Sequence, residues 1–309
     1  MGSSKLSLTL VIDGFLMACR ARRLSENTLR DYLNTFNKFI LFKGYDPIFA
    51  DISKEDITEF LSVQTVSNKT LLNYHVGLSA LYTWAVNDGL AKEHIIHQVA
   101  RPKPQKREIV VFSKEDIRSL MRHADISRIY FRPSQGQLQN KLPSGLRNKA
   151  ILYLLLDTGM RVSELCGLKF KDYDPRNQRL VVYGKGDKER SLPISPRTGQ
   201  IVWKYLATRK NPRKDDPLIA NDAGRSMDRT SVLHVLMRIG HRAGVDHVHP
   251  HRFRHTFAIE YLRNGGDIYT LQKILGHTTL DMVKNYLKIA DADIETAHRR
   301  ASPVDNWRL

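Results

Sequence analysis

The sequence predicts a mainly α protein of two domains: a helical N-terminal bundle, then a mostly helical α+β domain with a small antiparallel β-sheet. Apolar residues recur at helical spacing through the first hundred positions. A basic stretch twice broken by proline follows at 101–107. β-Branched residues then flank a glycine turn within 179–194, the signature of a hairpin. With 309 residues the chain can bury two separate cores. The expected boundaries are 1–100 for the bundle, 101–111 for a linker and 112–309 for the second domain.

An amphipathic stretch near Phe15 to Cys19 opens the bundle. Ser25 is a good N-cap for a helix carrying Leu29, Tyr32, Leu33, Phe36, Phe39 and Ile40, and Gly44 closes it. Ser53 with Asp56 three residues on resembles a capping box. Ser67 starts a longer helix with Leu71, Leu72, Leu78, Leu81, Tyr82 and Ala85 before Gly89. Past the linker, Ser113 caps the next helix, and 128–144 is expected to be a surface loop. The nearly all-apolar run 146–156 predicts a buried helix. The hairpin spans 179–183 and 189–194, and helices resume at Pro196, Arg229, Pro250, Ile268 and Leu280.

Hydrophobic residues make up 41% and charged residues 26%, the balance of a globular protein. No apolar run reaches the ~18 residues of a membrane helix, and the N-terminus lacks a secretory pattern, so a cytoplasmic, nucleoid-associated location without membrane contact is expected. Cys19 and Cys166 fall in helices of different domains and support neither a disulfide scaffold nor a four-ligand zinc site. The net charge of +17 points to a polyanionic partner, most simply nucleic acid. Ten basic residues balance ten acidic ones in 1–100, so the whole excess, 39 against 22, lies in 101–309. The main phosphate-binding surface is expected there.

Arg161 follows Thr158-Gly159-Met160 and precedes an amphipathic helix, so its guanidinium sits in a crowded place and needs a carboxylate or a phosphate. Glu164 could satisfy it as an ordinary ion pair. His251 and Arg254 share a helix face three residues apart and, taken alone, read as a surface pair sooner than as a site. His277 precedes Tyr286 by nine residues, and Tyr286 lies beside Val283 and Leu287, where a tyrosine taken alone is more often a core or boundary residue than a nucleophile. His247, His249, His251 and His255 form a cluster with no carboxylate or cysteine to complete a metal site, so no metal or cofactor is expected.

In order, Thr158-Gly159-Met160-Arg161, Gly184-Lys185-Gly186, His251-Arg252-Phe253-Arg254-His255, Leu275-Gly276-His277 and Tyr286 resemble the tyrosine recombinase (phage integrase) family, in a Xer-like layout. The resemblance implies a catalytic domain over 112–309 and a SAM-like core-binding domain over 1–100. It implies that Tyr286 is the nucleophile, that Arg161 and Arg254 clamp the scissile phosphate, that Lys185 is the general acid and that His251 and His277 complete the pocket. Glu164 corresponds to the acidic residue supporting the first arginine.

The implied activity is site-specific DNA recombination through a 3′-phosphotyrosine, with no metal or nucleotide. The alternatives are relaxation by a type IB topoisomerase-like enzyme and a non-catalytic DNA-binding relative. Charge accumulating on the non-bridging oxygens suits two guanidiniums that each donate paired hydrogen bonds. The tyrosine must lose its proton, for which His251 is the expected base. Arg20, Arg22, Arg23, Lys69, Lys103, Lys106, Arg107, Lys188 and Arg190 are candidate contacts to double-stranded DNA. The expected synaptic assembly is a homotetramer on DNA. An intermittent apolar stripe at Ile289, Ile294, Ala297 and Ala301, then Val304 and Trp307, would pack either in cis or, as the resemblance implies, on the next subunit.

Overall fold

The computed structural model describes residues 6–105, 108–132, 134, 136–184, 189–290, 298 and 302–307. The chain divides into two compact units, Met1–Glu108 and Ile109–Leu309.

The first unit is built on α1 (Leu8–Ala21), α2 (Glu26–Lys43), α3 (Lys54–Ser62) and α4 (Asn68–Asn87). Each begins at a serine whose hydroxyl accepts a backbone N–H of the first turn: Ser7, Ser25, Ser53 and Ser67. Each such cap contributes about 1 kcal/mol. Phe36, Phe39 and Phe60 are wholly enclosed between the helices. The rings of Phe39 and Phe60 meet edge to face at 5.2 Å, an arrangement that adds to their area burial.

The second unit contains α5 (Lys114–His123), a hairpin of β1 (Tyr130–Arg132) and β2 (Gly136–Leu138), α6 (Gly145–Thr158) and α7 (Val162–Gly167). An antiparallel sheet of order β3-β4-β5 follows, from Tyr173–Asp174, Arg179–Tyr183 and Glu189–Pro193. Then come α8 (Pro196–Leu206), α9 (Arg229–Ala243), α10 (Pro250–Arg263), α11 (Ile268–Leu275), α12 (Asp281–Ala290) and a short helix at Pro303–Trp307. Ala150, Ile151, Leu152, Leu154 and Leu155 of α6 are fully buried, as an apolar helix on all sides requires. α6 packs on α8 and α10, and α10 also packs on α12.

Three expectations change. The segment 128–144 is not a plain loop: Tyr130, Phe131 and Arg132 pair antiparallel with Leu138, Gln137 and Gly136. A two-residue strand, β3, extends the predicted hairpin to three strands. The second unit also begins before the expected 112. Ile109 and Val111 pack on the apolar cluster of α10, α11 and α12, and the Phe112 N–H donates to Thr256 Oγ1 at 2.9 Å. Arg252 fastens the same stretch, donating to the Val111 carbonyl at 3.0 Å with its guanidinium 4.0 Å from the Phe112 ring centre. Of the expected C-terminal stripe, Ile294, Ala297 and Ala301 lie outside the described residues, while Val304 and Trp307 are exposed.

Candidate active site

The pocket is assembled from helix ends. α6 stops at Gly159, whose left-handed φ of 59° ends the helix; a Cβ there would lie 2.3 Å from Phe257 Cδ1. Only glycine fits both the angle and the space. The stop frees the Gly159 carbonyl, which accepts from Arg254 Nη1 at 2.7 Å. At the end of α11, Gly276 also adopts a left-handed conformation, and the Leu275 carbonyl accepts from Arg254 Nη2 at 2.8 Å. Among the described residues Arg254 therefore bonds carbonyls and an imidazole but no carboxylate. Burial, then the neighbouring Arg161, pull its pKa down to about 10, which leaves it charged at neutral pH.

Arg161 is the N-cap of α7 and Glu164 sits three residues into it. Glu164 accepts from the Arg161 backbone N–H at 2.7 Å and from its Nη1 at 3.1 Å. The other Arg161 nitrogen, Nη2, donates to the Gly276 carbonyl at 3.3 Å, and the side chain stays 37% exposed, open toward solvent where a phosphate could enter.

The strongest partner of Glu164 is Arg190, whose two Nη atoms reach its two carboxylate oxygens at 2.8 Å each, while Nε donates to the Ile274 carbonyl at 2.8 Å. Arg190 was expected to touch the DNA backbone; it turns inward instead. Strand alternation explains why: Arg190 lies two residues from buried Leu192 and pairs across the sheet with buried Val182. Burial opposes the charge on Glu164, but the Arg190 and Arg161 bonds hold its carboxyl below the usual range.

His277 Nε2 lies 2.7 Å from Arg254 Nη2. A guanidinium only donates, so Nε2 accepts and the neutral ring carries its proton on Nδ1. Burial, then Arg254, Arg161 and Arg190, push the His277 pKa down to about 4.

Tyr286 on α12 is buried, and its hydroxyl lies 2.9 Å from Nδ1 of His255 rather than of His251. Burial, then His251, His249 and Arg254, lower His255 to about 4, so it is neutral and Nδ1 is the acceptor. His251 is exposed, its ring centre 6.5 Å from that of His255; burial, then Arg254 and Arg161, keep it below the ordinary histidine value. The imidazole bonded to the tyrosine is thus that of His255, not of the His251 expected from the sequence. The signal was present, since His255 follows Arg254 directly and lies one helical turn beyond His251. Burial raises the Tyr286 pKa, against the pull of Arg254 and Arg161.

Arg161, His251, Arg254, His277, Tyr286 and Glu164 thus converge in this region, whereas Lys185 and Lys188 lie outside the described residues. So do Lys106 and Arg107. Arg20, Arg22 and Arg23 cluster, exposed, at the C-terminal end of α1, with Lys69 exposed in the first turn of α4 and Lys103 exposed beyond it. Among the described residues no three His, Cys, Asp or Glu side chains form a group that could hold a metal, and no helix is long and apolar enough to cross a membrane.

Tyr286 with an imidazole on its hydroxyl, beside the buried Arg254 and the partly exposed Arg161, is an arrangement able to serve phosphoryl transfer. The Phage integrase family pattern matches residues 110–293, and that of the phage integrase N-terminal SAM-like domain matches 11–92. The chain belongs to the phage integrase family. It is 28% identical over 295 residues to tyrosine recombinase XerC of Bacillus pumilus, covering 91% of this chain and 92% of that one. Its fold is similar to XerH site-specific recombinase bound to a palindromic difH substrate in a post-cleavage complex, with a TM-score of 0.71 and 21% identity over 93% of this chain and 84% of that one. It is also similar to a lambda integrase tetramer bound to a Holliday junction, with a TM-score of 0.69 and 18% identity over 89% and 78% of the two chains.

Proposed function

We propose that this chain is a site-specific DNA recombinase that cuts and rejoins strands through a covalent bond between Tyr286 and a DNA phosphate. The observation that carries the reading is the Tyr286 hydroxyl held 2.9 Å from His255 Nδ1 in a pocket bounded by Arg254 and Arg161. The Tyr286 oxygen attacks phosphorus and the bond to the 5′ oxygen breaks. The Tyr286 proton passes to His255, and the departing 5′ oxygen takes one from Lys185, which lies between β4 and β5 in the sequence. With the His255 pKa near 4 and that of Tyr286 raised, the proton does not move before attack. Transfer belongs with P–O bond formation, when the phosphate brings negative charge to a pocket where burial, then His251, His249 and Arg254, hold the His255 pKa down.

Arg161 and Arg254 take the charge that develops on the non-bridging oxygens, so no step needs a metal ion. Attack conserves the energy of the broken phosphodiester in the Tyr286 ester, and reversal by a 5′-hydroxyl rejoins DNA without a nucleotide. Duplex DNA as partner and a homotetramer as the working assembly are supported by the DNA-bound XerH and the lambda integrase tetramer on a Holliday junction.

The test is a denaturation-resistant protein–DNA adduct formed in excess chelator. Tyr286→Phe should bind DNA with near-normal affinity and form none. An adduct that persists in the variant, or one abolished by chelator and restored by a divalent ion, overturns the mechanism.

A further inference from the structure

The β1–β2 hairpin contributes no bond to the catalytic pocket among the described residues, yet it has an unusual surface. Phe131 and its cross-strand partner Gln137 are both exposed, Phe131 at 70%, and Ile129, two residues earlier on the same face, is 62% exposed. Apolar side chains of this size are seldom left together in water unless something covers them. Along this stretch of the sequence the charge has one sign. From 126 to 156 the chain has five Lys and Arg and no Asp or Glu. Arg147 pairs with Asp222 and Lys149 with Asp125. Arg128 and Lys141 are exposed at the base of the hairpin. Arg242 on α9 has its pKa lowered by burial first, then by Arg238 and Arg128, so the hairpin base adjoins two further arginines.

We infer that the β1–β2 hairpin is a second DNA-contact element, a ribbon that enters a groove of the duplex; this rests on the recombinase reading above. A two-stranded ribbon fits the B-DNA major groove. Amide side chains such as that of Gln137 read base edges there, and apolar ones such as Phe131 and Ile129 contact thymine methyls or wedge into steps. Arg128 and Lys141 meet the phosphates on either side. A protein partner would have to bring a strongly acidic surface to the same place, which the proposal treats as the competing outcome.

The experiment uses the full chain and a duplex that the wild-type protein selects from a random-sequence pool. In Ile129→Ser/Phe131→Ser, affinity should fall about tenfold, the low end for loss of groove contacts, and the footprint should shorten on one side. In Arg128→Gln/Lys141→Gln, the slope of log affinity against log salt should shrink by about 2, close to one per phosphate released. Both variants should melt like wild type, and at saturating protein both should form the Tyr286 adduct within about twofold of the wild-type rate. Unchanged affinity, footprint and salt slope would overturn the proposal. So would normal binding of one copy with loss only of association between bound copies, which marks a protein contact. The binding arms need no cleavage: a wild-type chain that forms no adduct refutes the recombinase reading and leaves the hairpin to be judged on affinity alone.

Discussion

Tyr286 and His255 show what one hydrogen bond decides. If His255 takes the tyrosine proton, His255→Gln should bind DNA normally but form adduct about a hundredfold more slowly, the lower range for loss of a general base. The wild-type rate should fall on acidification as His255 becomes charged, and that acidic limb should vanish in the variant. Equal slowing by His251→Gln with no change in His255→Gln would return the role to His251. Stability follows the same groups. His255 and His277 titrate near 4 in the folded chain and near ~6.5 unfolded, so the unfolded state takes up more protons between those values. Their contribution is complete above ~6.5 and is lost as pH falls toward 4, visible as a falling Tm that flattens in His255→Gln. Most pocket residues were legible because residue type and order carry the chemistry. The choice between His251 and His255 was not, because it depends on which face of α10 meets α12.

Helix ends, at the scale of elements, were legible for a local reason: a serine or glycine acts within one turn of its own position. Ser25, Ser53 and Ser67 cap the helices assigned to them, and Gly44 closes α2 with φ of 73°. Elements without local punctuation escaped. β1 and β2 have three residues each and β3 only two, too short for a period-2 pattern to emerge, and only pairing defines them. Arg190 was missed although its strand was found, because its alternation with Leu192 was not followed through to the side chain. The end of α6 offers a test: Gly159→Ala places a methyl against Phe257 and holds alanine at positive φ. It should cost about 2–4 kcal/mol. Calorimetry should show a lowered Tm, and adduct formation should suffer even where the chain remains folded, because the Gly159 carbonyl positions Arg254. A variant with wild-type melting and cleavage would contradict this account of the stop.

For the whole molecule, charge and cores divide unevenly. Residues 1–100 are neutral and residues 101–309 carry the +17, yet each unit has its own buried cluster. Residues 109–309 alone should therefore fold and bind DNA, but more weakly and less selectively, as the exposed Arg20, Arg22, Arg23, Lys69 and Lys103 are then lost. Competition with unrelated duplex measures this, and equal selectivity without the first unit would exclude it from recognition. The bonds that shape the pocket have a different consequence. Arg254 reaches Gly159 across 95 positions of chain, Arg161 reaches Gly276 across 115, and Arg190 reaches Ile274 across 84. Such distant pairings exist only where the long segments between them are folded into place. A nascent, misfolded or locally opened chain thus has all the reactive side chains but not their geometry, so the capacity to cut DNA is tied to completion of the fold and lapses as soon as part of it opens.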